Sequence, residues 1–196
     1  MLSITLSNWL VQFKMNTDNK KSAHQVLFKN LSSLDDKTKW LSNEYENRVV
    51  QFVSYPGQVI ARLNKEPLHI ICQKIETNFA LNQEVKIVVK LCGSLERKKK
   101  VIDNHVIQIE GKILNTDERI NLAKHLLNKA GLEVSGLAIQ DTDNIRFYKH
   151  HRLIQLKTFE AFATCSIRDL ESFVQAWNIG IGKRRTWGCG MLRVIE

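Results

Sequence analysis

Four of the nine glycines of this chain fall between residues 180 and 190, and that clustering constrains the local fold more than any other feature. The stretch 180–192 reads Gly-Ile-Gly-Lys-Arg-Arg-Thr-Trp-Gly-Cys-Gly-Met-Leu. Its glycines (Gly180, Gly182, Gly188 and Gly190) surround three consecutive cations, Lys183, Arg184 and Arg185, and one aromatic, Trp187. Glycine takes positive φ without a Cβ clash and lets the backbone approach a ligand closely. Successive backbone N–H groups in such a turn form a concave anion seat. These seven residues are therefore candidate contacts for phosphate oxygens.

The flanking elements narrow the reading. Leu170, Phe173, Val174 and Trp177 recur at helical spacing in 168–177, and 191–195 reads as a strand. The glycine stretch thus follows a helix and leads into a strand, the reverse of a P-loop or dinucleotide fingerprint. No helix N-terminus faces the anion, so nucleoside triphosphate binding loses most of its support. The structural alternative is a helix stopped by Gly180 and a bulged strand start at Gly188 and Gly190.

The charge balance points the same way as the loop. A chain of 196 residues with 43% hydrophobic and 25% charged residues has the composition of a globular protein of one or two small domains. Its net charge of +9 favours a polyanionic partner, nucleic acid before membrane, since no basic amphipathic helix stands out. The four cysteines, Cys72, Cys92, Cys165 and Cys189, form no C-x-x-C pair, which fits buried reduced thiols in a cytoplasmic protein. The first fifteen residues lack the pattern of a signal peptide. No apolar run approaches the roughly 20 residues of a membrane span. A cytoplasmic location without membrane contact is expected.

Along the chain, Leu2, Ile4 and Leu6 alternate, as do Trp9, Val11, Phe13 and Met15, one residue out of phase. A single strand bulged near Ser7-Asn8 accounts for both sets. A helix is expected at 20–34, with Ala23, Val26, Leu27, Leu31 and Leu34 on its core face, then a polar loop at 35–47. Strands at 48–55 and 66–76 flank the turn signal Pro56-Gly57, and a third follows at 85–91. This β-α-β-β-β order is a split βαβ with one helix reduced to a loop. The charge run at 96–100 reads as a linker or hairpin tip.

The second half reads as a strand at 106–113, a helix at 117–130 with Thr116 as N-cap and Gly131 beyond its end, strands at 132–140, 144–148 and 153–166, the 168–177 helix and the last strand. That order, β-α-β-β-α-β, is ferredoxin-like. The expected fold class is α+β, two ferredoxin-like (RAMP/RRM-like) units in tandem, with domains at 1–95 and 96–196.

Phe159-Glu160-Ala161-Phe162, Arg168-Asp169 and the run from Gly180-Ile181-Gly182 to Trp187-Gly188-Cys189-Gly190-Met191-Leu192 together resemble the C-terminal signature of RAMP-superfamily CRISPR proteins. The similarity is greatest to the CasE kind, the precursor-RNA endoribonucleases of type I-E Cascade in the Cas-six family. It extends more weakly over the bulged first strand, the first-helix histidine and the Asp117-Glu118 helix. The resemblance implies two ferredoxin-like domains, a bound CRISPR repeat stem-loop, metal-free cleavage of precursor crRNA, and retention of the product with other Cascade subunits. No cofactor is implied.

Metal-free RNA cleavage needs the ribose 2′-OH deprotonated, the departing 5′-oxygen protonated, and cations around the phosphorane. Histidine suits the proton transfers because both its forms are available near neutrality. His24 stands where the family carries its catalytic histidine, about 60° from the centre of the apolar stripe on an ideal helix. Lys20 and Lys21, at i−4 and i−3, can place an ammonium beside it. Lys21 stands where relatives often carry a tyrosine, and Gln25 replaces a common arginine. Lys29 matches a basic family position but lies about 140° away on the helix, which makes it a weak candidate.

Arg146, Lys149, His150, His151 and Arg152 form a basic knot in a hairpin of the second unit, in the region that meets the RNA stem in the resemblance. Cations on a two-stranded ribbon can track phosphates along a groove; a solvated hairpin tip is the plain alternative. His150 and His151 are adjacent on a strand and lack an accompanying carboxylate, so no metal site is expected. Trp187 and Tyr148 can stack on unpaired bases or pack in a core. Two further readings stay open: a non-cleaving RAMP-type subunit that caps guide RNA, and a basic RNA-binding protein outside CRISPR biology.

Overall fold

A computed structural model of the chain describes residues 2–15, 23, 26–27, 50–64, 66, 70–95, 100–102, 105–107, 112–149 and 152–195. Two four-stranded antiparallel sheets carry the fold.

The first sheet contains β1 (Ser3–Lys14), β2 (Val50–Tyr55), β3 (Gln58–Leu63) and β4 (Gln73–Ala80), in the order β2-β3-β1-β4. Pro56-Gly57 does form a tight turn, with Gly57 at φ +77°, but it joins β2 directly to β3. The expected strand at 66–76 is correct only from residue 73, where β4 begins. Among the described residues of the expected first helix, Ala23, Val26 and Leu27 are helical. Ala23 and Leu27 are buried with Val11, Phe52, Val59, Ala61 and Leu63.

β1 has no bulge. Its pairing with β4 (from Ser3↔Ala80 to Leu10↔Gln73) and with β3 (from Trp9↔Leu63 to Lys14↔Gln58) runs without a register shift. The phase change arises because the strand buries opposite faces at its two ends. Ile4 and Leu6 pack against the core of the second unit, whereas Trp9, Val11 and Phe13 pack against that of the first. Two half-strands with different neighbours produce the same sequence pattern as one bulged strand.

The second sheet contains β5 (Glu84–Cys92), β10 (Leu132–Lys149), β11 (Arg152–Ile167) and β12 (Leu192–Ile195), in the order β10-β11-β5-β12. With the helices α1 (Thr116–Lys129) and α2 (Leu170–Ile179) this is β-α-β-β-α-β, the ferredoxin-like order. Its opening strand is β5. The strand expected at 85–91 therefore starts the second unit instead of finishing the first, and the change of sheet falls at 81–83, ahead of the expected boundary at 95/96. Of the strand expected at 106–113, the described residues belong to two short strands, each paired with a different partner. Short pairs stand between β5 and α1: β6 (Ser94–Leu95) with β9 (Lys112–Ile113), and β7 (Lys100–Ile102) with β8 (His105–Ile107).

Both helices start on side-chain caps. The N-cap of α1 is Asn115, one residue before the expected Thr116; its Oδ1 accepts from Glu118 N while the Glu118 carboxylate accepts from Asn115 N, a reciprocal capping box. Asp169 caps α2, accepting from the N–H groups of Glu171 and Ser172. Both helices cover the β5 and β11 face that presents Ile87, Val89, Leu91, Phe159 and Ala161. Phe79 of the first sheet enters this core as well, edge-on to Phe173 and Trp177 with centroids 4.7 and 5.0 Å away.

Candidate functional site

The glycine loop is built by close backbone contact. α2 stops at Gly180, φ +78°, whose N–H still donates to Ala176 O. The chain then returns on itself: Ile181 N donates to Gly190 O at 2.9 Å, and Gly190 N donates to Lys90 O at 2.8 Å. A Cβ on Gly190 would lie 2.1 Å from Ile181 O, and one on Gly188 would lie 3.0 Å from the Phe52 ring of the other unit. The N–H groups of residues 187, 188 and 189 donate to carbonyls of Arg184 and Arg185. Hence the amides of six loop residues bond within the protein, and the expected concave seat of N–H groups is turned inward at those positions.

The three cations of the loop differ in surroundings. Lys183 is exposed. Arg184 is half-buried and left-handed, φ +62°, which lets the chain enter the short 3₁₀ turn Arg185–Trp187. Arg185 donates from Nη1 to Ile179 O at 3.3 Å and to Gly180 O at 3.1 Å, placing positive charge on the carbonyl end of α2.

β10 and β11 form the other basic element. β11 pairs with β5 only from Thr158 onward, so residues 152–156 pair with β10 alone. The hairpin leaves the sheet as a two-stranded ribbon of five residues, about 17 Å long. Arg146, Lys149 and Arg152 lie on it, Lys149 opposite Arg152. The separate strands expected at 132–140 and 144–148 are one strand with register shifts at Val134/Gly136 and Thr142/Ile145. Lys20, Lys21, His24, Lys29, His150 and His151 lie outside the described residues.

Polar side chains occupy the seam between the two sheets, and part of their network reaches the C-terminal end of α2. Arg62, 4% exposed, donates from Nη1 to Leu192 O at 2.9 Å and from Nη2 to Trp177 O at 2.5 Å and Gln51 Oε1 at 3.2 Å. Gln51 Nε2 also donates to Trp177 O, and Trp177 Nε1 donates to Asn8 Oδ1 at 2.8 Å. Burial pulls the Arg62 pKa down to about 9, so the group is still a cation at neutral pH. Further along the seam, Tyr55 OH donates to Glu160 Oε1 at 3.1 Å, Arg193 donates to both, and Lys90 Nζ donates to Ser54 O at 2.8 Å. Burial raises the Tyr55 pKa and lowers that of Lys90.

Beside this network opens a cleft of about 650 Å³, bordered by Met15, Ala23, Tyr55 and Pro56 on one side and by Lys90, Glu160 and the shifted segment 142–145 on the other. Ala23 is the residue before His24. Sequence reasoning did not single out Arg62, Tyr55, Lys90 or Arg193, and it used Glu160 only as part of a motif. A signal existed: Arg62, Lys90 and Glu160 each interrupt an apolar strand at a position out of phase with the core. Among the described residues, no three His, Cys, Asp or Glu side chains gather as a metal site, and no helix is long and apolar enough to cross a membrane.

A two-unit ferredoxin-like protein with a glycine loop at the seam and a basic ribbon is the class defined so far. The profile of the family described as CRISPR associated protein matches residues 95–195, and the chain belongs to that family. No curated protein matches it in sequence. Among solved structures, the CRISPR endoribonuclease Cse3 bound to 19 nt RNA is similar at a TM-score of 0.65 and 16% identity, over 97% of this chain and 99% of that one. The CRISPR-associated protein Cas6e from Escherichia coli str. K-12 is similar at 0.66 and 13%, over 95% and 98%. A chain of a CRISPR RNA-guided surveillance complex is similar at 0.60 and 14%, over 95% and 98%. The tandem ferredoxin-like fold expected from the sequence is the fold these proteins share.

Proposed function

We propose that this protein is a cytoplasmic CRISPR repeat endoribonuclease, which binds the repeat stem-loop, cleaves precursor crRNA without a metal ion, and stays on the product as a subunit of a Cascade-type complex. The observation that carries this reading is the match of nearly the whole chain, 97% of it, to 99% of a Cse3 structure bound to 19 nt RNA. Family membership and the net charge of +9 support it.

In this reading His24 is the general acid or base. The 2′-oxygen loses its proton and attacks the adjacent phosphorus, the P–O5′ bond breaks, and the 5′-oxygen takes up a proton. The products are a 2′,3′-cyclic phosphate and a 5′-OH. Lys20 and Lys21 stabilise the charge that develops on the phosphorane. Lys183, with Arg184 and Arg185 behind it, and the ribbon residues Arg146, Lys149, His150, His151 and Arg152 hold the RNA backbone. Gly180, Gly182, Gly188 and Gly190 shape the loop that presents these cations, and Lys29 is at most a peripheral contact.

The test is incubation of labelled cognate repeat RNA with the protein in EDTA, with both new ends mapped. A single cut leaving a cyclic phosphate and a 5′-OH is expected. Tight binding with no cut would instead identify a subunit that caps guide RNA without cleaving it.

A further inference from the structure

We infer that the seam cleft is a subsite for one unpaired nucleobase of the bound RNA, selecting a base that carries an exocyclic amino group. The inference rests on the RNA-binding reading above and adds a place and a chemistry to it. The cleft borders Ala23, beside the proposed catalytic residue, so a base in it would belong to a nucleotide near the scissile bond.

The lining suits a base and not a phosphate. Among the described residues, the cations in this region are already engaged: Lys90 with Ser54 O, Arg193 with Tyr55 and Glu160, and Arg119 with Asp141. The lining side chains that make no hydrogen bond among the described residues are those of Ser54, Gln140, Asp143 and Asn144, and Asp143, whose charge is felt at Lys90, is the one carboxylate among these four. A carboxylate repels a phosphodiester but accepts well from an amino N–H at a base edge. Met15, Pro56 and Ile145 supply apolar wall for the ring faces.

The segment is also built for the purpose. The register shift between Thr142 and Ile145 takes Asp143 and Asn144 out of the ladder and turns this stretch into the cleft. Thr158 pins it, bonding Thr142 Oγ1 at 2.8 Å and donating to Asp143 O at 2.9 Å. A site held in place before the ligand arrives loses less free energy to ordering on binding.

The test is an abasic scan. Cognate repeat RNA, made uncleavable by 2′-deoxy substitution at the cut, is given one abasic nucleotide at a time outside the stem. Its affinity is measured with wild-type protein and with the Asp143→Ala, Asn144→Ala double variant; Asn144→Leu, close in volume, provides a second route should the double variant be unstable. One position should lose about tenfold or more with wild type, behave the same with uracil in place of the native base, and lose little with either variant. Equal losses in wild type and variants at every position would overturn the subsite while leaving RNA binding intact. Failure of wild-type protein to bind the unmodified hairpin would overturn the endoribonuclease reading, and the subsite with it.

Discussion

The Arg62 guanidinium lies 3.8 Å from the centroid of the Trp177 ring and donates to the carbonyl of the same residue. One side chain from β3 thus covers the ring of α2 and closes part of its carbonyl end. Among the described residues, no carboxylate answers this buried charge. The ring face, three acceptors and the α2 dipole do so.

Replacing Arg62 should therefore cost more than an ordinary surface change. Arg62→Ala leaves the Leu192 carbonyl and Gln51 Oε1 without their donor and uncovers Trp177, a loss of about 2–4 kcal/mol. Arg62→Lys should recover little of it, since an ammonium lacks the planar fork that reaches three acceptors while stacking. Urea unfolding of the two variants measures both.

The loop glycines make a contrasting pair with Gly57. Gly190→Ala would put a Cβ 2.1 Å from Ile181 O at φ +86°, so the loop must open; a loss of more than about 3 kcal/mol and weakened RNA binding are expected. Gly57→Ala has a similar φ but open space around it, and should cost only about 1 kcal/mol. Thermal melts of the two proteins separate packing from backbone strain.

Asp169 sets a pH dependence with a definite sign. Hydrogen bonds from Ser172 hold its carboxyl below the ordinary value of 3.8. A carboxyl lowered in the folded state stabilises fully above its unfolded pKa, and the contribution is lost as pH falls through the folded one. Asp169→Asn should lower stability at neutral pH and flatten its fall in acid. Melting temperatures of both proteins from pH 7 to pH 2 give the comparison.

How much of this was legible in the sequence depended on whether the signal was local. The Leu170-Phe173-Val174-Trp177 spacing locates α2, and Gly180 marks its end, because helix periodicity and glycine stops are short-range. β5 was read as a strand but assigned to the wrong unit, since Ile87, Val89 and Leu91 alternate identically whichever sheet they join. β1 looked bulged because the neighbours of Ile4 and Trp9 belong to different cores, which local alternation does not reveal. In the loop, the glycines were read as open to a ligand; Gly188 against Phe52 and Gly190 against Ile181 show contacts that depend on residues far away or on a fold-back. Arg62, Tyr55 and Arg193 escaped notice for the same reason: their partners lie 100 or so residues distant.

Single-turnover cleavage of cognate repeat RNA by wild-type protein and by His24→Ala, with affinity measured in parallel, tests the account most directly. It predicts a rate loss of about 100-fold or more in His24→Ala, with RNA affinity retained. A variant that cuts as fast as wild type, at the same position, would contradict it.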